Sequence, residues 1–348
     1  RLDGSRCPND MAYDRSADIL YIANEESDNV TIIRDSQFAG NIPTGNWPIE
    51  VESDPNSNRV YLSHVLDGIR VLQDGMVVAD IPAYSESYRI LVNSLNDYTY
   101  ITDLHRPITI IRSTEKVLDL FVPDFQGNVI GWQLATDYDR LTGLTYFASW
   151  EYPALTVVDG TEVIDQFTYE GLGASDMIVD PDRRHIVVTN NLAYFDEDSP
   201  NNISIIDMDT KQVSSIFSAR YSYRAALDPV TGYVYVTNPD NNSVTVLQGR
   251  QEAATFQTGK KPREVAVDPV TGFAYVTNVE DNSISVFRDG IPVAEIALPD
   301  DKGFRPWYVT IDEHSGRVYI LNRSTVEKHS SRDGERVVCR EPWVHILE

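Results

Sequence analysis

Asp228-Pro229-Val230-Thr231-Gly232-Tyr233-Val234-Tyr235-Val236-Thr237-Asn238 returns 40 residues later as Asp268-Pro269-Val270-Thr271-Gly272-Phe273-Ala274-Tyr275-Val276-Thr277-Asn278. The first half of this segment is turn chemistry, with Asp, Pro and Gly in the positions a tight reversal needs. The second half alternates β-branched and aromatic residues and reads as a strand. With Tyr235 and Tyr275 as register marks, equivalents fall at Tyr21, Tyr61, Tyr100, Tyr146, Val187 and Tyr319, spaced 39 to 48 residues apart. Eight copies of one unit therefore account for the chain.

A second mark gives the same register. After each tyrosine position comes a short run of apolar-Thr/Ser-apolar-apolar form, beginning at Val30, Ile69, Ile108, Leu155, Ile203, Val244, Ile284 and Val344. Arg70 replaces the hydroxyl residue in the second run and His345 in the last. Another strand precedes each mark, as in Glu264-Val265-Ala266-Val267, and a fourth follows, as in Pro292-Val293-Ala294-Glu295-Ile296. A four-stranded unit of this size cannot cover both its faces, so the copies must pack face to face around an axis. The reading is all-β: one domain over residues 1–348, an eight-bladed propeller of four-stranded antiparallel blades with strands a to d, strand a lining the channel.

The Tyr-Val-Thr-Asn segments at 235–238 and 275–278 resemble the YVTN β-propeller repeat. That resemblance implies a secreted or surface protein of a bacterium or archaeon; it specifies a fold and leaves activity open.

Lys and Arg number 29 against 53 Asp and Glu, a net charge of −24 that argues against nucleic acid and anionic lipid as partners. No run approaches the roughly 18 to 20 apolar residues of a membrane-spanning helix. The sequence starts at Arg1, which fits removal of an export signal and points to a secreted, periplasmic or cell-surface location. Blade 8 reaches only its third strand before Glu348, so its outer edge is expected to be covered from the other terminus, by the short residues 1–6 or by an N-terminus that begins further upstream. Cys7 precedes strand a of blade 1 and Cys339 lies between strands b and c of blade 8, on the same (top) face of adjacent blades. They are expected to form a disulfide, which requires an oxidising compartment.

Departures from the repeat mark candidate chemistry. The connection from mark to strand c, 8 or 9 residues elsewhere, is 16 in blade 5 and 25 in blade 8; these insertions, 190–202 and 322–342, are expected to arch over the top face. Strand b closes on Asn in five blades but on His64, Asp103 and Ser149 in blades 2 to 4, with His105, Trp150 and Glu151 close behind. His64, His105 and Asp103 are the candidate catalytic residues, supplying a general base or a metal site. At the channel entrance the reading places Asp10, Glu50, Arg89, Trp132, Asp176, Arg224, Glu264 and Trp307. With Trp150, Glu151 and Arg323 they offer a polar, partly planar ligand its contacts. Glu50, Asn190, Asn238 and Asn278 match in type the ligands of metal-dependent lactonase propellers, although the asparagines also belong to the repeat. Asp196-Glu197-Asp198 offers oxygen ligands to a divalent metal such as calcium. Asn29, Asn202, Asn241 and Asn322 open glycosylation sequons. Cys-x-x-Cys-His, P-loop, dinucleotide-binding and nucleophile-elbow motifs are absent. Two function classes stand: a propeller that binds a small molecule, glycan or protein on its top face, and an enzyme (hydrolase, lyase or isomerase) with its site in the top funnel.

Overall fold

A computed structural model describes residues 4–347 except 84–86, 104–106, 123–132, 170, 172, 192–201, 218–221, 300–303, 325–326, 332–333 and 339–342. Seven blades are four-stranded antiparallel sheets in simple a-b-c-d order, and the eighth has three strands among the described residues. The inner strands are Pro8–Asp14, Pro48–Asp54, Ser87–Asn93, Gln133–Tyr138, Ala174–Asp180, Ala225–Leu227, Pro262–Val267 and Phe304–Asp312. The chain is thus an eight-bladed β-propeller, and two three-residue 3-10 turns are its only described helix. All eight marks lie in strand b, and the eight predicted third strands start within a residue of their expected positions.

Each turn of the repeat has a visible physical job. Asp228 and Asp268, buried at the end of strand a, accept the backbone N–H of Val230 and Val270 at 2.9 Å and the hydroxyl of Thr231 and Thr271 at 2.5 Å. Gly232 and Gly272 close these turns at φ of +78° and +73°, where a side chain would be strained. At the other end of strand b the asparagine is buried and donates to strand c hydroxyls: Asn238 to Thr245 at 3.0 Å and Asn278 to Ser285 at 2.9 Å. The alternating hydroxyl in strand c is therefore the partner of the Asn two strand-ends away.

The core is divided into eight apolar clusters, one at each interface between neighbouring blades. The mark tyrosine crosses that interface. Tyr21 and Tyr235 accept the backbone N–H of Gly75 and Gly290, each at 3.0 Å, while Tyr61 and Tyr100 donate to the carbonyls of Ser113 and Gly160. Each contact reaches the c–d turn of the next blade. The pattern thus joins blades as well as filling them.

Residues 1–3 of the segment expected to close the ring lie outside the described residues. The inner strand of blade 8 packs against that of blade 1, with Met11, Leu20, Tyr319 and Leu321 in one cluster and Tyr13 stacked on Tyr319 at 5.8 Å. Residues 4–6 lie on blade 1: Ser5 bonds Thr31 at 2.5 Å, and the Arg6 N–H donates to Ser27. Their backbone does not pair with Trp343–Leu347, the outer described strand of blade 8. The hydroxyls of strand c in blade 1 hold them where they are. The long insertion of blade 8 contains a hairpin, Glu327–Ser331 with Gly334–Val338.

Candidate functional site

Near its top, strand a carries a bulge in blades 1, 2, 4, 5, 7 and 8, and in blade 3 the irregularity falls at the same level. A bulge turns an extra side chain toward the mouth of the channel. Two layers result. The lower is a ring of Asp10, Glu50, Arg89, Asp176, Arg224 and Glu264; in blades 4 and 8 the residues in that register are Ala135 and Tyr308. The upper is a rim containing Asn9, Ile49, Ser175, Tyr223, Arg263 and Trp307.

The ring residues spend their charge on one another. Arg89 lies 3.8 Å from both Glu50 and Asp176, and Arg224 lies 3.9 Å from Asp176 and 3.5 Å from Glu264. The carboxylates also tie blades together: Asp10 accepts the Val51 N–H and Asp176 the Ala225 N–H, both at 3.0 Å. Between these groups remains a cavity of about 140 Å³ lined by Asn9, Asp10, Ile49, Glu50, Arg89, Arg224 and Tyr308. Burial pushes Glu50 and Glu264 up to about 7 and Asp176 to about 6, even though the arginines pull all three down. One layer deeper, burial pushes Glu52 to about 8, with Glu50 adding repulsion, and Asp137 to about 7. The channel therefore holds carboxylates that change charge near neutral pH.

The rim over blades 6 to 8 is different. The Arg263 guanidinium stacks on Trp307 at 3.9 Å, with the Tyr223 and Tyr308 rings at 5.1 and 5.8 Å. Arg323 approaches the same indole at 5.4 Å and bonds Asn9 at 3.4 Å. Arg305 pairs directly with Arg323 across the strands of blade 8. Nearby Lys260 and Lys261, by contrast, are paired with Asp281 and Asp240. Trp307 Nε1, Arg263 Nε, Arg224 Nε and Glu264 Oε2 are buried atoms without a hydrogen bond; the 3.5 Å approach of the last two is not aligned for one.

Of the residues singled out from sequence, Glu50, Arg89, Asp176, Arg224 and Glu264 come together in the ring, and Trp307 and Arg323 meet at the rim. His64 does not join them. It is fully buried at the end of strand b, its Nδ1 3.3 Å from the Gly68 carbonyl, and burial reinforced by Arg70 lowers it to about 4. It takes the place of the repeat asparagine, just as Arg70 takes that of the hydroxyl. Trp150 and Glu151 are half-buried beyond strand b of blade 4. His105, Trp132, Asp196 to Asp198, Cys339 and the side chains of Asp103 and Asn202 lie outside the described residues. Asn190, Asn238 and Asn278 use their amide N–H groups on Ser204, Thr245 and Ser285 inside their own blades, away from a shared site with Glu50. No group of three or more His, Cys, Asp or Glu suited to a metal occurs among the described residues. Asn322 is fully buried and donates to the Ile320 carbonyl, so its sequon is not presented on the folded surface. Cys7 is 2% exposed, and the described residues include no free cysteine.

Sequence reasoning missed Tyr223, Arg263, Arg305 and Tyr308. Their signal was present: Tyr223-Arg224, Arg263-Glu264 and Trp307-Tyr308 are equivalent doublets, and a bulge lets both members face the mouth.

No protein family matches the chain. No curated protein matches it either. Solved structures of similar fold include a chain of hydrazine synthase from Kuenenia stuttgartiensis, 17% identical with a TM-score of 0.65, covering 84% of this chain and 98% of that one. Dihydro-heme d1 dehydrogenase NirN in complex with DHE is 13% identical with a TM-score of 0.73, covering 95% and 75% respectively. The Dos1 propeller is 10% identical with a TM-score of 0.72, covering 92% and 90%. At these identities the likeness is one of fold.

Proposed function

We propose that this chain is a binding propeller of the YVTN-repeat type, exported to an oxidising compartment. It takes a small molecule, glycan or protein side group at the top-face rim of blades 6 to 8. One observation carries the reading: the two arginines inside the channel mouth lie between carboxylates in the Glu50–Arg89–Asp176–Arg224–Glu264 chain, whereas the rim above keeps aromatic faces and two unbonded donors, Trp307 Nε1 and Arg263 Nε. A ring so cross-linked closes the channel as a plug, and recognition falls to the layer above it. His64, neutral and sealed inside blade 2, supports the binding reading over general-base chemistry there. Two of the similar folds belong to enzymes by title, yet at 13 to 17% identity they lend this chain no residue roles.

The test is a thermal-shift panel of neutral sugars, amino acids and small acids on the intact chain. At least one class should raise the melting temperature saturably, and Trp307→Ala should abolish the response. A response that survives Trp307→Ala but disappears on changing Arg140 at the opposite mouth would overturn the placement.

A further inference from the structure

Three arginines stand at the top of blades 7 and 8 in a protein of net charge −24. Arg263 and Arg323 share the Trp307 indole, at 3.9 and 5.4 Å, and Arg305 stands directly opposite Arg323 in the sheet. Like charges directly opposed across antiparallel strands repel. With 53 acidic residues in the chain, this repulsion is the kind surface carboxylates ordinarily relieve. Arg70, Arg140 and Arg184 each pair with an aspartate, but none of these three arginines has a carboxylate within salt-bridge distance among the described residues. The indole holds two of the guanidiniums by their faces; Arg323 spends one edge N–H on Asn9 and Arg263 bonds Tyr308, while Arg263 Nε is left without a partner for a ligand to meet. A second donor, Trp307 Nε1, is buried and unsatisfied at the same place. A buried donor without a partner carries a penalty that a ligand's acceptor removes.

We propose that Arg263 and Arg323, which share the Trp307 indole, together with Arg305 opposite Arg323, form an oxyanion site that takes the carboxylate, sulfate or phosphate group of an acidic ligand. This assignment rests on the rim-binding reading above and narrows it to one chemistry. Guanidinium forks match pairs of oxygens on carboxylate, sulfate and phosphate alike, and three positive charges favour a ligand with more than one negative charge. Glu264 Oε2, an unsatisfied buried acceptor in the ring below, is placed to receive an O–H or N–H donor from the same ligand.

Isothermal titration of the intact chain with citrate, sulfate and phosphate, each in 0.15 M sodium chloride, tests the site (roughly physiological screening). The expected result is saturable single-site binding of at least one of them. It should weaken at least tenfold in Arg263→Gln and in Arg323→Gln and remain unchanged in Arg34→Gln, an exposed arginine on blade 1. Citrate binding without sulfate or phosphate identifies a carboxylate ligand, and the reverse identifies a sulfate or phosphate ester. Absence of saturable heat for all three, or binding equal in the wild type and both rim variants, would overturn the proposal. A neutral ligand lost in Trp307→Ala alongside that absence would leave the rim reading standing and remove only the oxyanion.

Discussion

Arg89 and Arg323 are both half-buried arginines at the top of the channel, and they live in opposite electrostatic surroundings. Arg89 lies between Glu50 and Asp176. Arg323 lies beside an indole that already carries Arg263, and opposite Arg305. Paired charges of the first kind hold blades 2, 3 and 5 together across the axis, whereas the second kind has no carboxylate within salt-bridge distance among the described residues. The difference shows how neighbouring positions at the channel mouth, Arg89 on strand a of blade 3 and Arg323 on strand b of blade 8, divide into a structural ring and a receptive rim.

The ring side of the comparison makes the larger predictions. If Cys7 is bonded to Cys339, the bond joins blade 1 to blade 8 and closes a loop of over 300 residues. Replacing either by serine should then cost about 4 to 5 kcal/mol. Thiol titration of the unfolded, unreduced chain should find no free thiol, and two titratable thiols would remove the bond from the account.

Next in size is the pH response. Glu50, Glu52, Asp137, Asp176 and Glu264 are raised in the folded chain to values between about 6 and 8, chiefly by burial. A raised carboxylate binds protons in the folded state that the unfolded chain has released, so folding gains as pH falls through the folded value toward the unfolded one, roughly 4. His64 opposes this below its ordinary value of 6.5, because its lowered folded pKa of about 4 favours the unfolded state in acid. Melting temperature should rise as pH falls from 8 to about 5, by roughly 2 °C for each kcal/mol gained, with His64 taking back part of the gain below 6.5, and should level off only as pH approaches about 4. A monotonic fall on acidification from pH 8 would contradict the ring's electrostatics.

His64→Ala should cost about 2 to 3 kcal/mol in chemical denaturation, since it opens a cavity in a fully buried position. Ligand affinity at the rim should not move. Smaller again is Tyr235→Phe, which removes the acceptor of the Gly290 N–H at an interblade contact and should cost about 1 kcal/mol.

Most of the fold was legible because the repeat is written in short-range chemistry: Asp-Pro-x-x-Gly turns, a tyrosine that reaches the next blade, and an Asn that needs a hydroxyl on strand c. The site was legible only in part. Glu50, Arg89, Asp176, Arg224 and Glu264 follow from period alone. Blade 4 does not, since the register residue there is Ala135 and not Trp132. Blade 8 places Tyr308 in the ring and lifts Trp307 to the rim. A bulge shifts facing by one residue without altering the spacing of the marks, so sequence period is blind to it. His64 misled for a related reason: an ionisable side chain at a repeat position looks functional in a string, and only packing shows that it fills the pocket of an asparagine.

The claim that ring arginines hold the fold while rim arginines await an anion is tested most directly by the melting temperatures of unliganded Arg89→Gln and Arg323→Gln at pH 8. Removing Arg89 strands two carboxylates, so its variant should lose about 2 kcal/mol, or several degrees. Removing Arg323 relieves its repulsion with Arg305, so that variant should melt at or slightly above the wild-type temperature. An Arg323→Gln variant destabilised as much as Arg89→Gln would show that the rim arginines are structural and contradict the account.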